Sequence, residues 1–486
     1  MPDESRPRPA RARPAIAMDM TCRRSRSRSV RASASLTYIV GTWPRSSPTA
    51  GVDVSGKHER ASRGGGVNAQ PSGNAPRAGS RAWRIGVMVL FGSALVASCF
   101  KYTGLDSVGI DDSVYRTSIM EWWRGGDPYG LGLEGNLAGT SFTYPPVALL
   151  LLAPLGALSA VGAHNVMTLV TATCITAMSF IVGRALGLRA GRTVWWQWLV
   201  ATVLVAGALR SGNAVLSALS LGQVSVFIAT LCLVDVLVLR RTAFSGILIA
   251  IAAATKVTPG LFIVFLLVFD RRAGIRSLVW AAALTAIAGV VLPSETWNYF
   301  TKYLWDTQRV GDAAANANVS VTGVLARSDL GPAAEQWWWI AFSIAAVVLT
   351  GAAVRRVWAL DSGVWSACLI GQVTCLVSPI TWSHHSTWFS LTGAVLMLWA
   401  IRSRTQGWFA RIGLGVLGVA IIVALYKWAL IWSIPGAPVS GLHGFLVQNV
   451  LFLIGLSGLV GLGLVAWRTR SAAPESIRAM NGGDGM

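Results

Sequence analysis

"IGVMVLFGSALVASCFKYT", residues 85–103, decides what kind of protein this is. It is an apolar run long enough for a transmembrane helix, and the basic segment "RAWR" ends just before it at Arg84. "VASC" (Val96 to Cys99) loosely resembles a lipoprotein cleavage box, but more than eighty residues precede it and further apolar runs follow, so it reads as an uncleaved first span. Similar runs of about 15–23 residues recur along the 486-residue chain, cut by short basic or Gly/Pro-rich links. Only 13% of the residues are charged, about half the share of a soluble domain, and mean hydropathy is +0.55. The expectation is an all-α, polytopic transmembrane helical bundle of about 11 to 13 spans. The count depends on whether "YPPVALLLLAPLGALS" (Tyr144 to Ser159) crosses or re-enters, since it is short for a span and "RALGLRAGR" (Arg184 to Arg192) looks cytoplasmic.

The net charge of +20 raises nucleic acid as a partner. Its distribution speaks against that. Much of the Arg lies in the first 84 residues, as in "RPRPARARP" and "CRRSRSRSV", and the rest in short links between spans, which is the positive-inside pattern. Residues 1–80 are poor in bulky apolar side chains and read as a disordered basic cytoplasmic arm; 85–470 form the membrane domain, and 471–486 a disordered cytoplasmic tail. The links at Arg240-Arg241, Asp270 to Arg276, Arg355-Arg356, Ile401 to Arg404 and Arg468 to Arg470 should share the cytoplasmic side with both termini. Residues 104–144, 293–336 and 378–385 then lie outside. The six cysteines include no CxxC pair and five sit in apolar runs, so they read as small buried hydrophobes, with no metal site and no disulfide framework implied.

Against this background the segment after the first span is unusual. "IDDSVYRTSIMEWWRGGDPYG" (110–130) opens with Asp111-Asp112 and continues as a short amphipathic helix, with Val114, Ile119 and Trp122-Trp123 on its apolar side and Arg116 and Glu121 on the polar one. The other outside loops add Asn318 and Arg327 in "ANANVSVTGVLAR", and Trp382, His384 and His385 in "SPITWSHH". Lys256 in "ATKVTPG" interrupts an apolar stretch and falls at a helix end if Pro259 breaks a hairpin there. Each residue has an ordinary explanation. Asp-Asp can cap a helix, the His pair can line a polar interface, Lys256 can snorkel, and Trp337-Trp338-Trp339 can sit in the interfacial belt. Their convergence on one face points instead to a site. A carboxylate there can take the proton of a sugar hydroxyl attacking an anomeric carbon, and a Lys, Arg or protonated His can stabilise a departing lipid phosphate.

The order of motifs resembles glycosyltransferase family 87, the polyprenol-phosphate-mannose-dependent mannosyltransferases of GT-C fold. Asp111 stands four residues before Tyr115, followed by "GDPYG", "FTYPP" (Phe142 to Pro146), Leu221-Gly222-Gln223, Lys256 to Pro259, "NVSVTG" and "SPITWSHH". Resemblance covers about 85–470. It implies a plasma-membrane enzyme with an extracytoplasmic active site and amphipathic helices in the first external loop. Asp111 or Asp112 would be the general base. Lys256, His384, His385, Arg327, Asn318, Tyr115, Tyr144 and Trp382 would bind the donor phosphate and substrate, with no metal and no cofactor. In the actinobacterial members it implies α-1,2 transfer from polyprenyl phosphomannose to phosphatidylinositol mannosides, lipomannan or lipoarabinomannan. The partners expected are this donor, a glycolipid acceptor and membrane lipids, with no nucleic acid. Asp112 stands where the family often has an apolar residue, Val319 replaces the common Gln and Thr381 the common Ser. The alternatives are an arabinofuranosyl- or glucosyltransferase using another polyprenyl phosphate sugar, and a lipid-sugar flippase. The flippase is disfavoured because the acids sit in an external loop and no internal repeat is evident.

Overall fold

The computed structural model describes residues 78–130, 141–187, 195–328, 330–359, 363–403, 407–432 and 441–468. In chain order its helices are α1 (Ala78–Thr103), α2 (Ile110–Trp123), α3 (Pro146–Leu152), α4 (Ala160–Gly187), α5 (Trp195–Ser211), α6 (Asn213–Leu221), α7 (Ser225–Val234), α8 (Ile247–Thr255), α9 (Gly260–Phe269) and α10 (Arg271–Val291). They continue with α11 (Pro293–Asn298), α12 (Val321–Ala326), α13 (Pro332–Ala359), α14 (Gly363–Val377), α15 (Thr387–Arg402), α16 (Trp408–Trp432), α17 (Gly441–Gln448) and α18 (Val450–Arg468). No strand forms among the described residues; one isolated bridge pairs Asn318 with Trp382. The first helix starts at Ala78, inside the expected arm; the remainder of that arm and the tail 471–486 lie outside the described residues.

Among the described residues six helices are long and apolar enough to cross a bilayer, namely α1, α4, α10, α13, α16 and α18, and the pair α5–α6, bent by 60°, makes a seventh if it is counted as one span. Five shorter apolar helices accompany them, so the expected 11 to 13 spans would require those to cross as well. The segment 146–157, α3 with a 3-10 turn over Ala153–Ala157, rises only about 18 Å at helical pitch against a hydrocarbon core of about 30 Å. It is therefore too short to cross. The outer helices expose apolar side chains that water would not tolerate: Val290 of α10 is 82% exposed and Leu349 of α13 71%. Inward, nearly every residue of α14 and α15 is buried, and the five described cysteines are all buried and free.

Two departures from regular helix position the site. The chain leaves α8 at Lys256, whose backbone is extended, and re-enters helix after Pro259, because Pro259 has no N–H to bond the Thr255 carbonyl four residues back and its ring would clash with it. At the other break, α6 ends on Gly222 in the left-handed region (φ +71°), and the next amide, Gln223, donates to Ala218 O at 2.9 Å. A Cβ on Gly222 would lie 2.0 Å from Asp112 Oδ2, and one on Gly109 would lie 2.5 Å from Leu221 O. The start of α2 therefore seats directly on the end of α6. α2 is buried from Asp112 to Tyr115 and again from Thr117 to Ile119, while Arg116 and Glu121 of the expected polar side stay partly exposed. Its polar side chains make this possible by bonding back to the helix, Ser113 Oγ to Ile110 O at 2.6 Å and Thr117 Oγ1 to Ser113 O at 2.8 Å.

Gly222→Ala is expected to be strongly destabilising. The left-handed backbone alone costs an alanine about 1–2 kcal/mol, and its methyl group would displace the Asp112 carboxylate. Thermal unfolding in detergent should drop by several degrees; an unchanged transition would mean that this junction is not packed as described.

Candidate active site

A cavity of about 560 Å³ opens where these elements meet. α2 contributes Asp111 and Tyr115, the α6–α7 junction Gln223, the α8–α9 break Lys256, the segment after α11 Tyr303 and Arg309, and the loop before α15 Trp382, His384 and His385. Its volume is in the range of small-molecule sites, and aromatic and apolar walls surround a few convergent polar groups.

Asp111 and Asp112 are adjacent but do different things. Asp111 Oδ2 accepts from Gln223 Nε2 at 2.9 Å, and Oδ1 accepts from no protein group among the described residues. Burial pushes its carboxyl up to about 6; the Gln223 bond and the Lys256 charge pull the other way, and Asp112 adds to the rise. Asp112 is turned away, 1% exposed, with Oδ2 2.5 Å from His164 Nδ1 of α4 and Oδ1 accepting the Gly109 amide at 3.1 Å. It ties the start of α2 to α4 and bonds back to the residue that precedes its own helix.

The opposite wall carries cations and imidazoles. Lys256 Nζ lies 2.7 Å from His385 Nε2 and 5.0 Å above the Tyr144 ring. His385 Nδ1 accepts the Trp382 amide at 3.2 Å, and the His384 ring stands edge-on to His385 with centroids 4.4 Å apart. Burial first, then the neighbouring Lys256 charge, hold His384 down to about 3 and His385 well below the usual imidazole range. Burial thus disfavours the charged form of both rings. They can hydrogen-bond a phosphate, and Lys256 and Arg309 are the two basic side chains that line the cavity with them. The Arg309 guanidinium lies 4.4 Å over the Tyr303 ring and donates to Tyr129 O.

Of the residues singled out in the sequence, Asp111, Tyr115, Tyr144, Lys256, Trp382, His384 and His385 line the cavity. Asn318 and Arg327 do not. Asn318 Oδ1 accepts from Ser320 Oγ at 2.8 Å and from the Thr381 amide at 3.1 Å, stitching its loop to "SPITWSHH". Arg327 donates to Asn449 Oδ1 at 2.7 Å and to Ala315 O at 2.8 Å. A guanidinium satisfied by carbonyl oxygens at these distances braces a loop, and among these two arginines it is Arg309 that lines the cavity. Gln223 and His164 were also missed as site residues. Each is a polar side chain in an apolar stretch, and Gln223 also belongs to the Leu221-Gly222-Gln223 motif; these signals could have marked them.

The arrangement offers one carboxylate with a free oxygen, two cations and a set of aromatic walls in a single cavity. That combination suits transfer of a sugar from an anionic carrier to a hydroxyl. The family model described as glycosyltransferase family 87 matches residues 142–379, a range that begins after Asp111 and stops before His384. A polyprenol-phosphate-mannose-dependent alpha-(1-2)-phosphatidylinositol mannoside mannosyltransferase of Mycobacterium tuberculosis is 30% identical over 378 residues, covering 74% of this chain and 86% of its own length. The protein of the same description in Mycolicibacterium smegmatis is 30% identical over 364 residues, covering 70% and 81%. A pentamannoside mannosyltransferase of Mycolicibacterium smegmatis is 26% identical over 309 residues, covering 60% and 70%. Among solved structures, ArnT from Cupriavidus metallidurans bound to undecaprenyl phosphate aligns over 80% of this chain and 78% of its own, with TM-score 0.36 and 13% identity.

Proposed function

The chain belongs to glycosyltransferase family 87, and from that premise we propose that it moves mannose from polyprenyl phosphomannose to a phosphatidylinositol mannoside, forming an α-1,2 linkage. The observation that carries the reading is Asp111, a half-buried carboxylate with one oxygen unengaged, in the same cavity as Lys256 and Arg309. In the reaction the acceptor hydroxyl attacks the anomeric carbon and its proton passes to Asp111. The bond from that carbon to the phosphate oxygen breaks, and the electron pair leaves on polyprenyl phosphate. That phosphate needs no proton, only nearby charge and donors, which Lys256, Arg309 and the imidazoles supply. Asp112 is occupied by His164 and Gly109, so a single carboxylate serves, as a direct displacement requires. Trp382, Tyr144 and Tyr303 are suitable platforms for the apolar faces of the sugars.

The basic links between spans support an extracytoplasmic site in the plasma membrane with both termini, including the arm 1–80 and the tail 471–486, in the cytoplasm. The test supplies membranes containing the full chain with labelled polyprenyl phosphomannose and phosphatidylinositol mannosides. A glycolipid that gains label, and releases it to an α-1,2-specific mannosidase, is the expected result. Transfer only from a glucosyl or arabinofuranosyl carrier, or none from any carrier, overturns the reading.

A further inference from the structure

Gln223 makes more side-chain hydrogen bonds than any other group around the cavity, and the reaction as written gives it no part. It is 3% exposed and follows the left-handed Gly222, so its amide has one place to go. Oε1 faces three hydroxyls, Tyr115 at 3.0 Å, Tyr144 at 3.1 Å and Ser225 at 3.1 Å. Nε2 faces Asp111 Oδ2 at 2.9 Å and His384 Nε2 at 3.3 Å. An amide and its flipped form have nearly the same shape, so chemistry must decide between them. An ionised carboxylate only accepts. Flipping the amide would set a carbonyl oxygen against Asp111, while three hydroxyls can donate to Oε1 as they stand. The carboxylate therefore decides the orientation, and the hydroxyls, which can donate as well as accept, are compatible with it.

We propose that Gln223 is the positioning residue of the reaction: its amide pins Asp111 Oδ2 through one N–H, leaving Oδ1 for the acceptor's proton, and through the other N–H holds His384 bare at Nε2 with its proton on Nδ1. The proposal rests on Asp111 being the base. Its consequence is that one amide couples the carboxylate to the loop that faces the leaving phosphate. The charged and titratable groups around Asp111 are Asp112 on its own helix, Lys256 from the α8–α9 break, His384 and His385 from the loop before α15, and Tyr115 and Tyr144. None of the others in this set donates a hydrogen bond to the Asp111 carboxylate among the described residues.

Gln223→Glu in the full membrane-embedded chain tests this. The new carboxylate keeps the acceptor for the three hydroxyls but replaces a donor with a like charge beside Asp111. The acidic limb of kcat/KM against pH should move up by about one pH unit or more, with kcat at neutral pH down roughly ten- to a hundredfold. The donor KM should hold within about twofold, and activity should recover towards alkaline pH. A merely structural role predicts an equal loss at every pH. Tyr115→Phe combined with Ser225→Ala releases the amide to flip and should give a smaller shift in the same direction; it decides the matter if Gln223→Glu does not accumulate as folded protein. Acidic limbs that coincide with the parent enzyme's overturn the proposal. Asp111→Asn is run in parallel: if it stays active, the base assignment has failed, whereas a dead Asp111→Asn with unshifted Gln223 variants removes only the positioning role.

Discussion

Asp111→Asn is expected to lower mannosyl turnover roughly a hundredfold or more with the amount of folded protein unchanged. Asparagine keeps the size of the side chain and its carbonyl oxygen can still accept from Gln223, so what is removed is the basic oxygen. The pH profile of the parent enzyme should report the same group. Burial raises the Asp111 carboxyl to about 6, so the active, ionised form predominates above that pH and activity falls about tenfold per unit below it. The sign for stability is opposite. A carboxyl whose folded-state pKa lies above its unfolded value is held less favourably when ionised, so its penalty is relieved as pH falls through about 6. Asp112→Asn should behave differently, retaining turnover and losing about 1–3 kcal/mol of stability, because Asp112 holds α2 to His164 and to Gly109. An active Asp111→Asn enzyme beside a folded but inactive Asp112→Asn enzyme would reverse the assignment.

The second large effect is expected at Lys256. Lys256→Met keeps the length and apolar stem of the side chain but removes the charge next to His385. In the proposed reaction Lys256 pairs with the donor phosphate, and losing one partner of a buried, hydrogen-bonded charge pair costs about 2–5 kcal/mol, so donor binding and turnover together should fall about 30-fold or more. Arg309→Gln should raise the donor KM by less, since Arg309 is only partly buried and its guanidinium also stacks on Tyr303. Arg327→Gln should lower thermal stability while leaving the donor KM unchanged, as its donors go to Asn449 and the Ala315 carbonyl. A Lys256→Met enzyme with the parent's donor KM, or an Arg327→Gln enzyme with a greatly raised one, would show that the phosphate is held elsewhere.

What the sequence determined by itself follows from the solvent. A bilayer admits only backbone that satisfies its own hydrogen bonds, so apolar runs had to become helices, and basic links had to mark their ends. The order of "FTYPP", "LGQ", "KVTP" and "SPITWSHH" was likewise enough for the family, and the proline in "KVTP" was enough to predict the break that carries Lys256 to the cavity. Tertiary structure alone distinguished neighbours. Asp111 and Asp112 are about 100° apart on one helix, and only the packing of Gly109 and Gly222, with His164 waiting on α4, turns Asp112 inward and leaves Asp111 to the cavity. Arg309 and Arg327 lie within twenty residues of each other, and no local pattern says which guanidinium is taken up by Asn449 and the Ala315 carbonyl and which lines the cavity. Gln223 is the clearest case. One amide in an apolar stretch has no chemistry of its own, and acquires it because segments distant in sequence bring the Tyr115 and Tyr144 hydroxyls to one end, beside that of the neighbouring Ser225, and a carboxylate to the other.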